Sequence, residues 1–181
     1  MSNLLEGISY TIKEEGFYNV PKKVQHVLSM HRPKFNFSNP VDNSFFDVIF
    51  INGCDYSVPH PIRYRVDHQI EELEAAGLTV QKVNAWEMKE DILRHGRTFI
   101  IFRCPLSDEV ESLIIQAKKL NKRVIYDIDD LVIDTAYTDS IPFVKAMSAH
   151  DKPCYDDGVR RMGETLKLCD CAITTTEGMA E

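Results

Sequence analysis

Residues 98–127 read TFIIFRCPLSDEVESLIIQAKKLNKRVIYD, and the fold can be argued from this stretch outward. Thr98-Phe-Ile-Ile-Phe102 is too short for a helix and rich in strand formers. Ser107-Asp-Glu-Val110 then opens a helix, because a serine hydroxyl can cap the first turn and acidic side chains favour its positive end. Val110, Leu113, Ile114, Ala117 and Leu120 recur on one face of that helix. Arg123-Val-Ile-Tyr126 is a second strand. Strand, helix, strand at this spacing implies a right-handed crossover and two parallel strands in one sheet.

The same alternation continues on both sides. Upstream, Asp47-Val-Ile-Phe-Ile-Asn52 predicts a strand, and Arg63 to Ala76 predicts a helix with Val66, Ile70 and Leu73 on one face and Gly77 as its stop. Leu78 to Val83 alternates as a strand, and Asn84 is placed to cap a short helix through Leu93. Downstream come a long loop from Asp134 to Pro142, helical segments to Leu168 and a fifth strand from Cys171 to Thr174. The expectation is an α/β domain over residues 47–181: a Rossmann-like open parallel sheet of order 3-2-1-4-5 with helices on both faces. Residues 1–46 differ. Leu4, Leu5, Ile8 and Ile12 predict one helix ending near Gly16, and Pro21 with Val24, Val27 and Leu28 predicts a second. His31 to Asn43 then predicts a connector, so this region is expected to be a helical arm.

Composition excludes several classes of function. The 181 residues are 44% hydrophobic and 27% charged, as in soluble globular proteins. With 21 basic against 28 acidic residues the formal charge is -7, and no basic cluster suits nucleic acid. Lys118, Lys119, Lys122 and Arg123 sit at a helix end, where they complement its dipole. Five scattered cysteines, an odd number, and no signal-peptide-like start point to reduced thiols in the cytoplasm. Cys169-Asp-Cys171 is better read as a strand end than as half a metal site. No apolar run approaches the ~20 residues that a bilayer-spanning helix needs.

In such a sheet, ligands bind at the carboxyl ends of the strands. Those ends carry Asn52, Gly53, Cys54 and Asp55; Arg103; Asp127, Asp129 and Asp130; and Thr175 and Thr176. Tyr64 and Arg65 open the first helix. Three carboxylates within four positions repel one another unless a cation or a substrate hydroxyl offsets them, and Arg103 on the neighbouring edge is the natural partner. Gly53 permits close backbone approach, but neither a dinucleotide fingerprint nor a Walker sequence occurs.

Three segments together resemble the N-terminal domain of family 4 (group 1) glycosyltransferases. They are Ile62-Arg-Tyr-Arg65 leading to Leu73 and Gly77, Arg103 followed by a helix and Lys122-Arg-Val-Ile-Tyr-Asp-Ile-Asp-Asp-Leu131, and Leu168 to Glu181. The resemblance covers roughly residues 47–181 and implies a GT-B enzyme, two Rossmann-like domains facing across a cleft with no obligatory metal and no cofactor. It assigns this half to a glycan or lipid-linked acceptor and the nucleotide-sugar donor mainly to a second half, to which the family's E-x(7)-E element belongs. The expectation is a truncated chain, inactive alone, from a cell-surface polysaccharide or glycan synthase. Residues Glu14 to Lys23 are similar to helical connectors in long multi-domain synthases of this kind. The resemblance places Asp127, Asp129 and Asp130 near the sugar's anomeric carbon as catalytic candidates, with Asn52, Gly53, Asp55, Tyr64, Arg65, Arg103, Thr175 and Thr176 as substrate-binding candidates. It also allows peripheral association of the parent enzyme with the inner face of the membrane.

Two rival readings stand beside it. Val124 to Asp134 also resembles the first motif of haloacid-dehalogenase phosphatases, with Asp127 as nucleophile and Asp129 as acid/base around Mg2+. Leu131 departs from that motif, and no lysine or terminal acidic motif follows. The other is a non-catalytic Rossmann-like interaction module, which an exposed apolar patch would mark.

Overall fold

The computed structural model describes residues 44–55, 59–89 and 91–180. The expected arm lies outside these except for residues 44–46, and of those Phe46 already belongs to the first strand. Five parallel strands form one sheet: β1 (Phe46–Asn52), β2 (Val80–Asn84), β3 (Gly96–Phe102), β4 (Arg123–Asp127) and β5 (Cys171–Ile173). Their order is β2-β1-β3-β4-β5, so the α/β open parallel sheet is as the sequence indicates but the order 3-2-1-4-5 is corrected. The reason lies in the strands themselves. β3 ends in four consecutive buried residues, Phe99-Ile-Ile-Phe102, and such a run belongs in the interior of a sheet covered on both faces. β2 carries Gln81 and Lys82 and has no fully buried residue, which suits an edge.

Helices cover both faces. On one, α1 runs as three joined helical segments, Pro59–Ile62, the π-helical Arg63–Asp67 and His68–Ala75. It starts earlier than the periodicity predicts. Ile62 and Val66, with Ile70 and Leu73, pack on Val48, Phe50, Ile100 and Phe102. Gly77 ends it in the left-handed region at φ 86, and the Leu78 N–H donates back to the Leu73 carbonyl at 3.0 Å, the closure that glycine makes cheap.

Between β2 and β3, the Asn84 side chain makes no cap bond to the turn that follows it. A 3-10 turn (Ala85–Glu87) precedes the short α2 (Ile92–His95), and the Asn84 amide donates instead to Glu87 Oε2 at 2.9 Å.

The opposite face is covered by α3 (Asp108–Lys119) and α6 (Lys152–Leu168). Ser107 Oγ accepts from the Val110 N–H at 3.3 Å, closing the predicted cap. Val110, Leu113, Ile114 and Ala117 bury against Ile49, Ile51, Phe99, Ile101, Val124 and Tyr126. Asn121 ends α3 in the left-handed region at φ 55, a conformation asparagine tolerates better than most residues. Basic residues in the last turn of α3 and just after it bind particular carbonyls rather than only the helix dipole. Lys118 Nζ donates to the Leu168 carbonyl at 2.9 Å, and Lys122 Nζ bonds the Leu93 and Gly96 carbonyls.

The segment expected to be a long loop holds two helical turns, α4 (Thr135–Thr138) and α5 (Pro142–Lys145). Asp134 caps the first, accepting from the Ala136 N–H at 2.9 Å. Cys169 is half-buried and Cys171 exposed, while Asp170 between them accepts the Val124 N–H at 2.8 Å and sets the start of β5 beside β4. A last turn, α7 (Glu177–Ala180), follows β5. Among the described residues no helix is long and apolar enough to cross a membrane.

Candidate functional site

The last residues of the strands form one row across the sheet: Asn84, Asn52, Phe102, Asp127 and Ile173 are partners in register. Partners in a parallel register share a face, so this row turns toward α1. The ladder runs one residue further, because the Gly53 N–H donates to the Phe102 carbonyl at 2.8 Å and the Arg103 N–H to the Asp127 carbonyl at 3.3 Å. A Cβ on Gly53 would lie 2.6 Å from the Arg103 carbonyl oxygen and from Cys104 Cα and Sγ. Glycine is therefore what lets the turns after β1 and β3 touch. Asn52 is fully buried and satisfied: its amide donates to the Cys54 carbonyl and to Asn84 Oδ1, each at 3.1 Å, and its own oxygen accepts the Cys54 N–H at 3.1 Å.

The three aspartates of the sequence cluster part company. Asp127 is fully buried on the α1 face. Arg65 donates to its Oδ1 through Nε at 3.0 Å and Nη2 at 2.7 Å, and Gln69 donates to Oδ2 at 2.7 Å. Burial pushes the Asp127 carboxyl up, and the hydrogen bonds from Arg65 and Gln69 pull against it without cancelling the effect.

Asp129 and Asp130 turn instead to Arg103. Its Nε meets Asp129 Oδ1 at 2.5 Å and its Nη2 bonds Asp130 Oδ2. Arg103 itself sits in the left-handed region at φ 46, uncommon for a residue with a long side chain, and its guanidinium lies 5.7 Å from the Phe102 ring centre. Burial works against the Arg103 charge, but Asp129 and Asp130 outweigh it and hold its pKa above the ordinary value. The Asp130 side chain remains 62% exposed and that of Asp129 18%, so one guanidinium anchors both acids while Asp130 stays open to solvent.

The remaining sequence candidates spread around this centre. Asp55 is exposed just beyond Gly53. Tyr64 is exposed, its ring edge-on to His68 at 5.4 Å. The Thr175 hydroxyl contacts Met179 Sδ at 3.5 Å, and the Thr176 carbonyl accepts the Met179 N–H at 3.1 Å, so both lie with the turn after β5. Thus Arg65 joins Asp127, Arg103 joins Asp129 and Asp130, and Asn52 and Gly53 frame the adjoining turn.

Three residues were not singled out as site residues by the sequence. Gln69 lies one helical turn after Arg65 and shares its target, a spacing that was available as a signal. Cys54 is half-buried beside Arg103 and Asp129, and burial raises its thiol pKa. Tyr155, on the first turn of α6, has its pKa raised by partial burial and then by the charges of Asp130 and Asp156. Nothing in the sequence around Tyr155 announces that neighbourhood. Among the described residues no group of three or more His, Cys, Asp or Glu side chains is arranged to hold a metal ion.

Sheet order and helix placement define the class as an open, doubly wound α/β domain of Rossmann-like type. Comparison of the chain with protein-family models, with curated proteins and with solved structures found no match in any of the three. A doubly wound sheet by itself is compatible with many chemistries.

Proposed function

We propose that this chain is the acceptor-side domain of a sugar-nucleotide-dependent glycosyltransferase for cell-surface polysaccharide or glycan synthesis, and that it transfers no sugar alone. The observation that carries the reading is Arg103, which binds Asp129 and Asp130 together at the carboxyl edge of β3 and β4. Carboxylate oxygens held by a guanidinium accept hydrogen bonds from the hydroxyls of a polyol, and a fixed pair orients one hydroxyl for attack. In this role Asp130, the more exposed, meets the acceptor, and Asp129 takes up or shares the hydroxyl proton as the acceptor oxygen bonds to the anomeric carbon and the donor's nucleotide leaves with the electron pair of the broken anomeric C–O bond. Asp127 touches no acceptor here; with Arg65 and Gln69 it ties α1 to the end of β4 beneath the loop that carries the other two. The donor is held mainly by a second domain of the parent enzyme.

The phosphatase reading fares worse on the same geometry. An aspartyl nucleophile has to reach phosphorus with a free oxygen. Asp127 is fully buried and both of its oxygens are engaged by Arg65 and Gln69. Asp129, the acid/base of that scheme, turns to Arg103.

Both statements are checked on the purified chain. With Mg2+ and a generic phosphate ester, neither the wild type nor Asp127→Asn releases phosphate; release that disappears in Asp127→Asn makes it a phosphatase. With a panel of sugar nucleotides and oligosaccharide acceptors, the chain gives no transfer. Robust turnover by these 181 residues contradicts the assignment to one half of a cleft.

A further inference from the structure

The helix α6 ends at the amino edge of the sheet, where Lys118 Nζ donates to the Leu168 carbonyl and β5 begins just after it. Its middle is fixed at the carboxyl edge. There the Leu106 N–H, in the turn after β3, donates to the Arg161 carbonyl at 3.0 Å, and Arg161 Nη1 donates back to the Leu106 carbonyl at 3.3 Å. Residues 152–160 therefore rise past the strand ends as roughly 13 Å of helix. Lys152 holds their first turn in place through Asp139 at 2.7 Å and Asp156 at 2.8 Å.

Tyr155, Val159 and Gly163 are spaced four apart and share one face of this helix. Val159 is 2% exposed, and a Cβ at Gly163 would lie 2.2 Å from the Ile133 carbonyl oxygen, so this is the face turned to the loop after β4. Tyr155 continues the face above that loop, which carries Asp129 and Asp130, and its side chain is half-buried. Among charged neighbours Asp130 raises the Tyr155 pKa most, with Arg103 opposing it. The ring thus borders the Arg103 centre beside Asp130, whose side chain is 62% exposed.

An aromatic face beside a solvent-open carboxylate suits a ligand with two kinds of surface. A pyranose has both: C–H groups of partial positive charge on a ring face, and hydroxyls around the rim. The C–H face packs on the electron-rich face of an aromatic ring while a rim hydroxyl donates to the carboxylate. An open-chain polyol offers hydroxyls without a fixed apolar face and loses more rotamer freedom on binding. A nucleotide offers a flat base, but its phosphates meet like charge at Asp129 and Asp130.

We propose that Tyr155 determines acceptor specificity: its ring stacks on a pyranose whose hydroxyl Asp130 receives, so the acceptor ends in a sugar ring and not in an open-chain alditol. This rests on the transferase reading and names the acceptor's class within it. Tyr155 makes and breaks no bond; it positions the ring on which Asp129 and Asp130 act.

The test titrates the full chain with hexopyranose oligosaccharides and with open-chain alditols, in the wild type, Tyr155→Phe and Tyr155→Ala. NMR follows the protein signals of Arg103 and Asp130 and the ring protons of the ligand. The wild type binds the pyranosides about tenfold or more tightly than the alditols, and ligand ring protons move upfield as stacking on an aromatic face requires. Tyr155→Phe keeps both effects, whereas Tyr155→Ala loses the upfield shifts and about tenfold in affinity. Thermal unfolding of each variant is recorded alongside; should Tyr155→Ala unfold, the upfield shifts in the wild type and in Tyr155→Phe decide. Pyranosides that move the Arg103 and Asp130 signals equally in wild type and Tyr155→Ala, without upfield shifts, overturn the role of Tyr155 and leave the acceptor site standing. Alditols bound as tightly as pyranosides overturn it as well, as does a Tyr155→Phe variant as weak as Tyr155→Ala. If neither ligand class moves the Arg103 and Asp130 signals, the acceptor reading itself fails and takes the role of Tyr155 with it.

Discussion

Asp127 and Asp130 are close in sequence, yet one is sealed beneath α1 and the other is mostly exposed beside Arg103. Their different fates predict different consequences of substitution. Arg65→Ala leaves the buried Asp127 carboxylate with Gln69 as its remaining side-chain partner, and breaking such a pair costs about 3–5 kcal/mol. Chemical denaturation at neutral pH checks this, and a midpoint equal to the wild type's rules it out. The pH dependence has a definite sign. Because burial raises the Asp127 carboxyl in the folded state, its contribution to stability is full below its unfolded pKa and is lost as pH rises through the folded value. Asp127→Asn removes that dependence, so the stability advantage of the wild type over the variant should shrink from acid toward neutral pH. An advantage that grows over the same range means that Arg65 and Gln69 dominate the carboxyl instead. The sequence pointed to an acidic cluster and to Arg103 as its counter-ion, but it did not divide the cluster. Strand alternation puts Asp127 opposite Tyr126 in facing; which helix waits on that side, and with which cation, is a tertiary fact.

At the scale of elements, the sequence revealed most where local chemistry decides. The Ser107 cap, the apolar face of α3 and the glycine that ends α1 all act within a few residues of themselves. The strand order depends on where each crossover lands, and there the sequence signal was quieter: an unbroken apolar β3 against a polar β2. The helical turns in 135–145 were missed because short turns of this kind are held by Asp134 and by buried Thr138 and Val144, not by a long periodic face. Two glycines of α6 give a test of element packing with opposite signs. A Cβ at Gly163 would lie 2.2 Å from the Ile133 carbonyl oxygen, whereas one at Gly158 meets nothing within 4 Å. Gly163→Ala should therefore destabilise by about 1–3 kcal/mol, since backbone cannot yield as a flexible side chain does. Gly158→Ala should stabilise by up to about 1 kcal/mol through helix propensity. Urea midpoints that move in the same direction for both variants contradict this packing of α6 on the loop after β4.

For the whole molecule, the doubly wound sheet brings Asn52, Arg103 and the Asp129–Asp130 pair to one edge, while the exposed apolar residues of α4 and α5 follow in the segment after β4. The α/β class was legible because alternation of strand and helix runs through residues 46–173. The site was legible as a location, the carboxyl ends of the strands, and less so as a set of roles. In the proposed role, the Arg103 centre receives a polyol acceptor. It is tested most directly by titrating the isotopically labelled chain with a panel of oligosaccharide acceptors and following backbone and Arg side-chain NMR signals, with Asp130→Asn in parallel. Saturable shifts confined to the turns around Asn52, Arg103 and Asp130 are expected, lost or strongly weakened in Asp130→Asn. Acceptors that leave those signals unmoved, or shifts that persist unchanged in Asp130→Asn, contradict it.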